Sequence, residues 1–302
     1  MLVPTEGVNA ATADLDLRSS REIIEVLLAE ERSVPDAVAA QLDAIERAAE
    51  LIVPRLGSGG RLHVFGAGTS GRLALLDVVE LGPTFGVGEE MVLAHLAGAS
   101  GGLLGADESA EDDVAAGALA AAALGSGDVA LGVSASGTTP YVVGALEAAG
   151  ARGAARVLLT CNPAAPLGAL AEVVIAPETG PEVITGSTRL KAGTATKLVL
   201  NALSTTVMVR LGRAYSHYMV HVEAANEKLR QRCVAIMASA AGLPEAEAAA
   251  RLAEAGGELP TALVMALAGV RADQARQALA AANGGVRRAI AALHGAAARP
   301  SA

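Results

Sequence analysis

The sequence predicts an α/β protein centred on a three-layer αβα domain, in which helices cover both faces of a five-stranded parallel sheet. Short apolar runs bounded by glycine, serine or proline alternate with longer stretches rich in alanine and leucine. Continuous apolar runs are typical of strands buried on both faces, and their alternation with helices implies crossovers in a parallel sheet. The chain has three Tyr, two Phe and no Trp, so its core must be packed from Val, Leu, Ile and Ala. Such small side chains suit helices laid closely on a sheet.

The first sixty residues are predicted to be helical. A polar stretch beginning at Ser19 precedes an apolar periodicity, which indicates a capped helix start. A second helix is predicted from Val34 to Leu56. Pro35 falls in its first turn, where proline is tolerated, and Gly57 ends it.

Five strands are predicted in the part of the chain from Arg61 to about Leu211. Each is an apolar run of three to five residues, and most of the segments between them have the composition of a helix. A long helix from about Ala192 to Leu211 is predicted to close the domain. The predicted strands are Leu62–Phe65, Met91–Leu93, Val129–Val133, Val157–Thr160 and Val173–Ala176.

The C-terminal part is predicted to be a small bundle of three helices. From about Ser239 the composition shifts to Ala, Glu and Arg, with breaks that contain glycine or proline. The predicted domains are therefore a helical segment at 1–60, a central domain at 61–235 and a small helical domain at 236–302. The breaks are Gly242–Pro244, Gly256–Pro260 and Gly284–Gly285.

Composition and charge exclude several functional classes. A formal net charge of -9 and only five aromatic residues argue against a nucleic-acid partner. Proteins bind nucleic acids through basic side chains and through aromatic side chains that stack on the bases. The longest uncharged stretch, 129–146, carries serine, threonine and proline, so no membrane partner is expected. Cys161 and Cys233 form no CxxC pair, so neither a disulfide framework nor a zinc site is predicted. Because the first residues also lack the pattern of a signal peptide, we expect a cytoplasmic protein.

Two loops carry the residues from which a binding site is predicted. Loop 1 is Gly66–Arg72 (GAGTSGR), after the first strand, and loop 2 is Ser134–Pro140 (SASGTTP), after the third. Ligands of open α/β sheets bind beyond the carboxyl ends of the strands, where helix N-termini and hydroxyls solvate a phosphate. Loop 1 has neither the lysine of a Walker motif nor the spacing of a dinucleotide fingerprint. The two loops therefore favour a phosphomonoester, with ordinary glycine- and serine-rich turns as the alternative.

GAGTSGR and SASGTTPYV resemble the two phosphate loops of the sugar isomerase (SIS) fold. With six further segments in the same order, the sequence resembles the N-acetylmuramic acid 6-phosphate etherases from residue 5 to about residue 235. That resemblance implies an SIS-type phosphosugar-binding catalytic domain and a small-molecule phosphosugar substrate. The further segments are TEGVNAATADLD (5–16), GPTFGV (82–87), ESAED (108–112), TCNP (160–163), GPEVITGSTRLKAGTATKLVLNALST (180–205) and NEKL (226–229).

The resemblance implies a carbon–oxygen lyase of cell-wall amino-sugar recycling, and it implies which residues act. These enzymes cleave the D-lactyl ether at C3 of N-acetylmuramic acid 6-phosphate, leaving N-acetylglucosamine 6-phosphate and D-lactate. By motif position Glu80 matches the family's acid and Glu111 its second catalytic glutamate. Apolar neighbours at 76, 79 and 81 are expected to exclude water from Glu80, which favours a protonated acid. Without the resemblance, both glutamates would be read as solvated surface residues.

The same resemblance implies the phosphate contacts. One position of loop 2 departs from the family pattern ASGRTP, because Thr138 stands where the family usually has Arg and supplies no positive charge. The implied reaction needs no metal and no organic cofactor, since the carbonyl of the ring-opened sugar is the electron sink. The implied phosphate- and sugar-binding residues are Thr69, Ser70, Ser134, Ser136 and Thr139.

Two further pairs of residues have alternative interpretations. Arg189 and Lys191 lie just before the long helix, where they are expected either to contact the substrate or to form salt bridges with acidic groups. His217 and His221, four residues apart on a predicted helix, have the spacing of a metal pair. With no third ligand nearby in sequence, an exposed helix face is the preferred interpretation of the histidines.

Two other functions remain as alternatives. One is another SIS enzyme, such as a phosphosugar isomerase, and the other is a non-enzymatic phosphosugar-binding regulator. An isomerase would not require the GSTRLKAGT segment, and a DNA-binding regulator would need a basic recognition helix that the acidic N-terminal segment does not provide. The resemblance also implies a homodimer with its active site near the subunit interface, to which the NEKL segment is a candidate contributor.

Overall fold

A parallel sheet of five strands organises the first half of the chain, as the alternating sequence pattern predicts. In this computed structural model, which describes residues 3–99, 108–222 and 226–297, the strands run in the order β2-β1-β3-β4-β5. At the carboxyl edge Gly66 of β1 pairs with Leu96 of β2 and with Val133 of β3. The strands are β1 (Leu62–Gly66), β2 (Val92–Leu96), β3 (Val129–Val133), β4 (Ala155–Leu159) and β5 (Val173–Ile175).

Three α-helices precede the sheet, where two helices are predicted. A capping box at Ser19 and Glu22 starts the first one at the predicted place. The predicted helix Val34–Leu56 is divided in two, because the backbone leaves the helical path around Gln41. The amide oxygen of that glutamine accepts a hydrogen bond from the backbone N–H of Ala176, after β5. The helices are α1 (Ser20–Glu31), α2 (Val34–Ala39) and α3 (Leu42–Gly57).

The helices between and after the strands pack on a core of aliphatic side chains. Phe65 of β1 is fully buried with Tyr141, Val142 and Leu146 in a cluster that includes Leu158 of β4. The helix that closes this part of the chain begins at Lys191, one residue before its predicted start, and ends at Leu211, as predicted. These helices are α4 (Gly68–Phe85), α5 (Val114–Ala120), α6 (Pro140–Ala151) and α7 (Lys191–Leu211).

The chain divides into two compact units, and the predicted domain boundaries at 60 and 235 stay a prediction. The first unit comprises Met1–Val79 and Glu89–Thr205, and the second comprises Glu80–Gly88 and Thr206–Ala302. The second unit therefore takes in the ends of both α4 and α7. Among the described helices, none is long and apolar enough to cross a membrane.

The second unit contains more helices than the three predicted. Four short helices follow residue 241, because a break at Gly269 divides one of the predicted helices in two. That glycine ends α10 with a left-handed backbone (φ 67°), which favours glycine. The helices are α8 (Glu227–Ala241), α9 (Glu245–Glu254), α10 (Leu259–Ala268), α11 (Ala272–Ala281) and α12 (Val286–Ala297).

A small antiparallel hairpin stands where a helix carrying His217 and His221 is predicted. Its strands are β6 (Ala214–Tyr215) and β7 (Tyr218–Met219), joined by a turn in which Ser216 has a positive φ of 53°. His217 lies in that turn and His221 follows the hairpin, so the helical spacing assumed for this pair is wrong.

Candidate active site

Loops 1 and 2 lie side by side at the carboxyl edge of the sheet. Strands β1 and β3 are adjacent and parallel, and the pair Gly66–Val133 at their ends places the starts of the two loops next to each other. Each loop runs directly into a helix, α4 from loop 1 and α6 from loop 2. Backbone N–H groups of both helix N-termini therefore point to the same edge, where they favour an anion.

The glycines of loop 1 allow its backbone to turn tightly. A Cβ on Gly71 would lie 2.6 Å from the carbonyl oxygen of Gly66, closer than real contacts allow. The turn places Thr69 and Ser70 in the first turn of α4, where both are partly accessible. These two predicted phosphate contacts thus lie at a helix N-terminus, and their role stays a prediction.

Loop 2 presents a chain of hydroxyl groups. The Oγ of Ser134 lies 2.8 Å from Oγ1 of Thr139 and 3.4 Å from Oγ of Ser136, which in turn lies 2.9 Å from Oγ1 of Thr138. The structure brings together the three loop 2 residues predicted to bind phosphate. Thr138 is exposed and uncharged. Loop 2 would therefore bind an anion through hydroxyls and N–H groups and not through a positive charge.

The segment after β4 donates hydrogen bonds to the backbone of loop 2. Asn162 donates a hydrogen bond to the carbonyl oxygen of Ser136 (2.9 Å), and Thr160 donates to that of Ala135 (3.2 Å). Gly137 has a φ of 70°, and a Cβ there would overlap Ala165. Thr160 and Asn162 belong to the segment TCNP (160–163), whose sequence alone indicates no role. In the structure the segment supports the hydroxyl chain of loop 2.

Glu111 lies against both loops. It belongs to a 3₁₀ helix, Glu108–Asp112, and its side chain is exposed. Its Oε1 accepts a hydrogen bond from Oγ1 of Thr139 at 3.2 Å, and its Oε2 lies 3.8 Å from the place a Cβ would take on Gly68. Sequence spacing alone did not predict this approach to the loops.

Glu80 lies on α4, the helix that starts in loop 1, and it is exposed. Leu76 and Val79 are also exposed, at 50% and 59%, whereas Leu81 is buried. The expected exclusion of water from Glu80 by the first two is therefore not found in the single chain. One turn earlier, the buried Asp77 is paired with Lys197 of α7, which ties the two helices together.

Of the two cations at the start of α7, Lys191 is ion-paired. The ammonium of Lys191 is buried and lies 2.7 Å from a carboxylate oxygen of Glu30, so the salt-bridge interpretation holds for it. Glu182 is fully buried and accepts hydrogen bonds from the backbone N–H groups of Lys191 and Ala192, at 3.0 and 2.9 Å. Burial raises the pKa of Glu182. Arg189 is exposed.

The described residues contain no group of three or more histidine, cysteine, aspartate or glutamate side chains that could hold a metal ion. His221 is partly buried, which lowers its pKa. Both cysteines are buried free thiols, and burial raises the pKa of Cys161 to about 12, so it stays protonated.

Comparison with known proteins identifies relatives that match most of the chain. The SIS domain family model matches residues 29–161. An N-acetylmuramic acid 6-phosphate etherase of Thermobifida fusca is 50% identical over 264 residues, covering 87% of each chain. The N-acetylmuramic acid 6-phosphate etherase 2 of Vibrio cholerae is 46% identical over 288 residues, covering 95% of this chain and 94% of its own.

A solved structure supports the fold. A putative phosphosugar isomerase from Bacteroides fragilis, involved in capsule formation, superposes with a TM-score of 0.51 at 24% identity. The match covers 68% of this chain and 98% of that one. The predicted three-layer α/β fold is thus confirmed.

Proposed function

The chain belongs to the N-acetylmuramic acid 6-phosphate etherase family, and from that premise we propose that it cleaves the D-lactyl ether of N-acetylmuramic acid 6-phosphate to N-acetylglucosamine 6-phosphate and D-lactate. The observation that carries the proposal is the position of Glu111 beside both loops of a phosphate site. A carboxylate there is within reach of a sugar whose phosphate is bound by those loops.

The 6-phosphate is bound by loops 1 and 2. Two helix N-termini and a set of neutral hydroxyls suit a small polar phosphosugar, because both donate hydrogen bonds to it. Such a ligand does not need a deep apolar pocket. The proposed ligands are Thr69, Ser70, Ser134, Ser136 and Thr139, which all lie at the carboxyl edge of the sheet.

The two glutamates divide the proton transfers. Opening of the sugar ring exposes a C1 aldehyde, which acidifies the C2 proton. Glu111 as carboxylate removes this proton, the electron pair forms the C2=C3 bond, and the C3–O bond breaks. Glu80 as carboxylic acid gives its proton to the departing ether oxygen, which leaves as D-lactate. Water then adds at C3, so the products differ from the substrate by one molecule of water.

The test measures D-lactate released from N-acetylmuramic acid 6-phosphate by Glu80→Gln and Glu111→Gln. General acid–base groups typically contribute about 10²–10⁴-fold, so each variant is expected to lose activity by that factor while remaining folded. Glu50→Gln, at an exposed glutamate of α3, is the matched control and is expected to keep its rate. Near-normal lactate release by both active-site variants would overturn the assignment.

The isomerase and regulator alternatives give different results in the same assay. An isomerase would interconvert an aldose and a ketose phosphate without releasing lactate, and a regulator would bind a phosphosugar and release nothing. The likeness to the isomerase structure extends to the fold alone. Lactate release by the unaltered protein therefore distinguishes an etherase from both alternatives, and interconversion of an aldose and a ketose phosphate distinguishes the isomerase from the regulator.

A homodimer is also part of the proposal. Helix α1 has no buried residue, and it exposes Ile24 (55%) and Leu28 (60%) one turn apart. The exposed Leu76 and Val79 flank Glu80 on α4. Apolar side chains on exposed helix faces are typical of an interface, and such an interface would remove water from the acid.

A further inference from the structure

The hydroxyl of Thr139 has more acceptors than it has protons. Its Oγ1 lies 2.8 Å from Oγ of Ser134 and 3.2 Å from Oε1 of Glu111. An ionised carboxylate only accepts hydrogen bonds, and a threonine hydroxyl carries one proton. Thr139 therefore donates to Glu111, and Ser134 donates to Thr139.

A phosphate in loop 2 needs that same proton. Phosphate oxygens near neutrality are acceptors. Thr139, which is 6% exposed, is one of the four hydroxyl-bearing residues of loop 2 that could donate to them. When the hydroxyl turns to a phosphate, Glu111 loses its donor. The bond to Glu111 is also easily broken, since 3.2 Å is longer than the roughly 2.5–3.0 Å usual for O–H···O.

The charge of Glu111 adds to this competition. Its other oxygen lies beside Gly68 of loop 1, so the carboxylate faces both loops that would hold the phosphate. Two anions close together repel each other, which favours movement of the flexible glutamate side chain away from the bound phosphate.

We propose that Thr139 is a positioning residue that couples phosphate binding to the activity of Glu111. In the free protein it holds the carboxylate against loop 2. The bound phosphate takes the hydroxyl proton and releases the carboxylate toward the sugar carbons. A carboxylate that no longer accepts the hydrogen bond of Thr139 is free to turn to the proton that it removes from the sugar. The 6-phosphate thus activates the base in addition to anchoring the substrate. This inference rests on the proposed function.

The first experiment compares cleavage of N-acetylmuramic acid, which has no phosphate, by the unaltered protein and by Thr139→Val. The variant is expected to release D-lactate several-fold faster from this sugar, because its Glu111 is no longer held, while its kcat/KM for the phosphorylated sugar falls. Millimolar phosphite is expected to accelerate the unaltered protein clearly more than the variant, in which only the charge of the anion still acts on Glu111. Thr139→Ser restores the hydroxyl and is expected to behave as the unaltered protein. Thr206→Val, at an exposed threonine of α7, is the matched control.

A threonine that only binds phosphate would give another result, since Thr139→Val would not change the rate with the unphosphorylated sugar. A purely structural role would lower that rate. Either outcome overturns the proposal. The side chain of Thr139 makes no capping hydrogen bond to α6, so the valine variant is expected to fold.

The second experiment does not depend on catalysis, so it distinguishes failure of this inference from failure of the proposed function. Binding of inorganic phosphate is measured for the unaltered protein, Glu111→Gln, Thr139→Val and the double variant. Glu111→Gln is expected to bind phosphate more tightly, by up to about tenfold, because a charged acceptor for the hydroxyl is gone. In the Thr139→Val background the gain is expected to be clearly smaller. Equal gains in both backgrounds would show that the two residues are not coupled and would overturn the inference.

Discussion

At the scale of single residues, two stacked histidines inside the sheet domain make its stability depend on pH. His63 of β1 is 2% exposed, and its Nδ1 lies 2.9 Å from Nε2 of His95 on β2. Burial, followed by the charges of His95 and Arg61, lowers the pKa of His63 from 6.5 to about 4, although Asp128 opposes the shift. Burial likewise lowers the pKa of His95. Both rings are therefore neutral in the folded protein at pH 7.

The sign of the pH effect follows from proton binding. Between pH 6.5 and about 4 the unfolded chain binds a proton at His63 that the folded protein does not, so stability is complete above pH 6.5 and falls as the pH is lowered. From pH 7 to pH 5 the expected loss of unfolding free energy from this residue is about 2 kcal/mol. Urea denaturation of His63→Leu at both pH values should show a smaller loss than the unaltered protein. His294→Gln, at an exposed histidine, is the control, and equal losses in all three proteins would contradict the prediction.

The sequence predicted the residues of the two loops but not how the second carboxylate reaches them. Loops after adjacent parallel strands must meet, so the proximity of Thr69 and Ser134 follows from strand order. Glu111 precedes Thr139 by 28 positions and reaches it from a 3₁₀ helix in an acidic run, where hydrophobic periodicity carries no signal. The pairing of Lys191 with Glu30 likewise joins residues 161 positions apart. Such contacts depend on tertiary packing, which spacing does not encode.

At the scale of elements, glycines allow α5 and α6 to pack with their backbones in contact. A Cβ on Gly117 of α5 would overlap the carbonyl oxygen of Tyr141, and a Cβ on Gly144 of α6 would overlap that of Val114. Glycine is unfavourable within a helix, and here it is explained by the close crossing. The glycines at these two positions therefore have a structural cause.

Gly144→Ala is expected to destabilise the protein by about 1–3 kcal/mol, because the two helices must move apart to admit one methyl group. Thermal and urea denaturation measure the change. Gly295→Ala makes the same substitution in α12, where a Cβ would meet nothing within 4 Å, and it is expected to be neutral or slightly stabilising. If both variants have the same stability, the helices do not cross as closely as described.

Element boundaries were predicted best where glycine or proline marked them. The strand Val129–Val133 was predicted at its observed bounds, since both of its flanks carry turn residues. The break at Gln41 was missed because glutamine is a good helix former. The side chain of Gln41 accepts a hydrogen bond from the N–H of Ala176, a contact that the sequence does not reveal. The hairpin at 214–219 was missed because each of its strands has only two residues.

At the scale of the whole molecule, the proposed acid is exposed to solvent in the single chain. Glu80 is exposed, and so are Leu76 and Val79 near it on α4. A carboxylic acid that must donate a proton near neutrality needs a desolvated site, which a second copy of the chain would provide by covering this face. Catalysis and dimer formation are therefore expected to depend on the same helix face.

Leu76→Glu tests that dependence. A charged side chain in a buried apolar interface is costly, so sedimentation velocity is expected to show a monomeric variant at concentrations where the unaltered protein is expected to form the proposed dimer. Its lactate release should fall in parallel, although Glu80 and Glu111 are both intact. Leu119→Glu places the same charge on α5 at a leucine that is 76% exposed, and it is expected to remain dimeric and active.

A Leu76→Glu protein that is dimeric and fully active would mean that Glu80 acquires its acidity within one chain. A monomeric but fully active variant would mean that the interface does not contribute to the site. Because the two readouts are measured separately, the experiment distinguishes an error about the interface from an error about the acid.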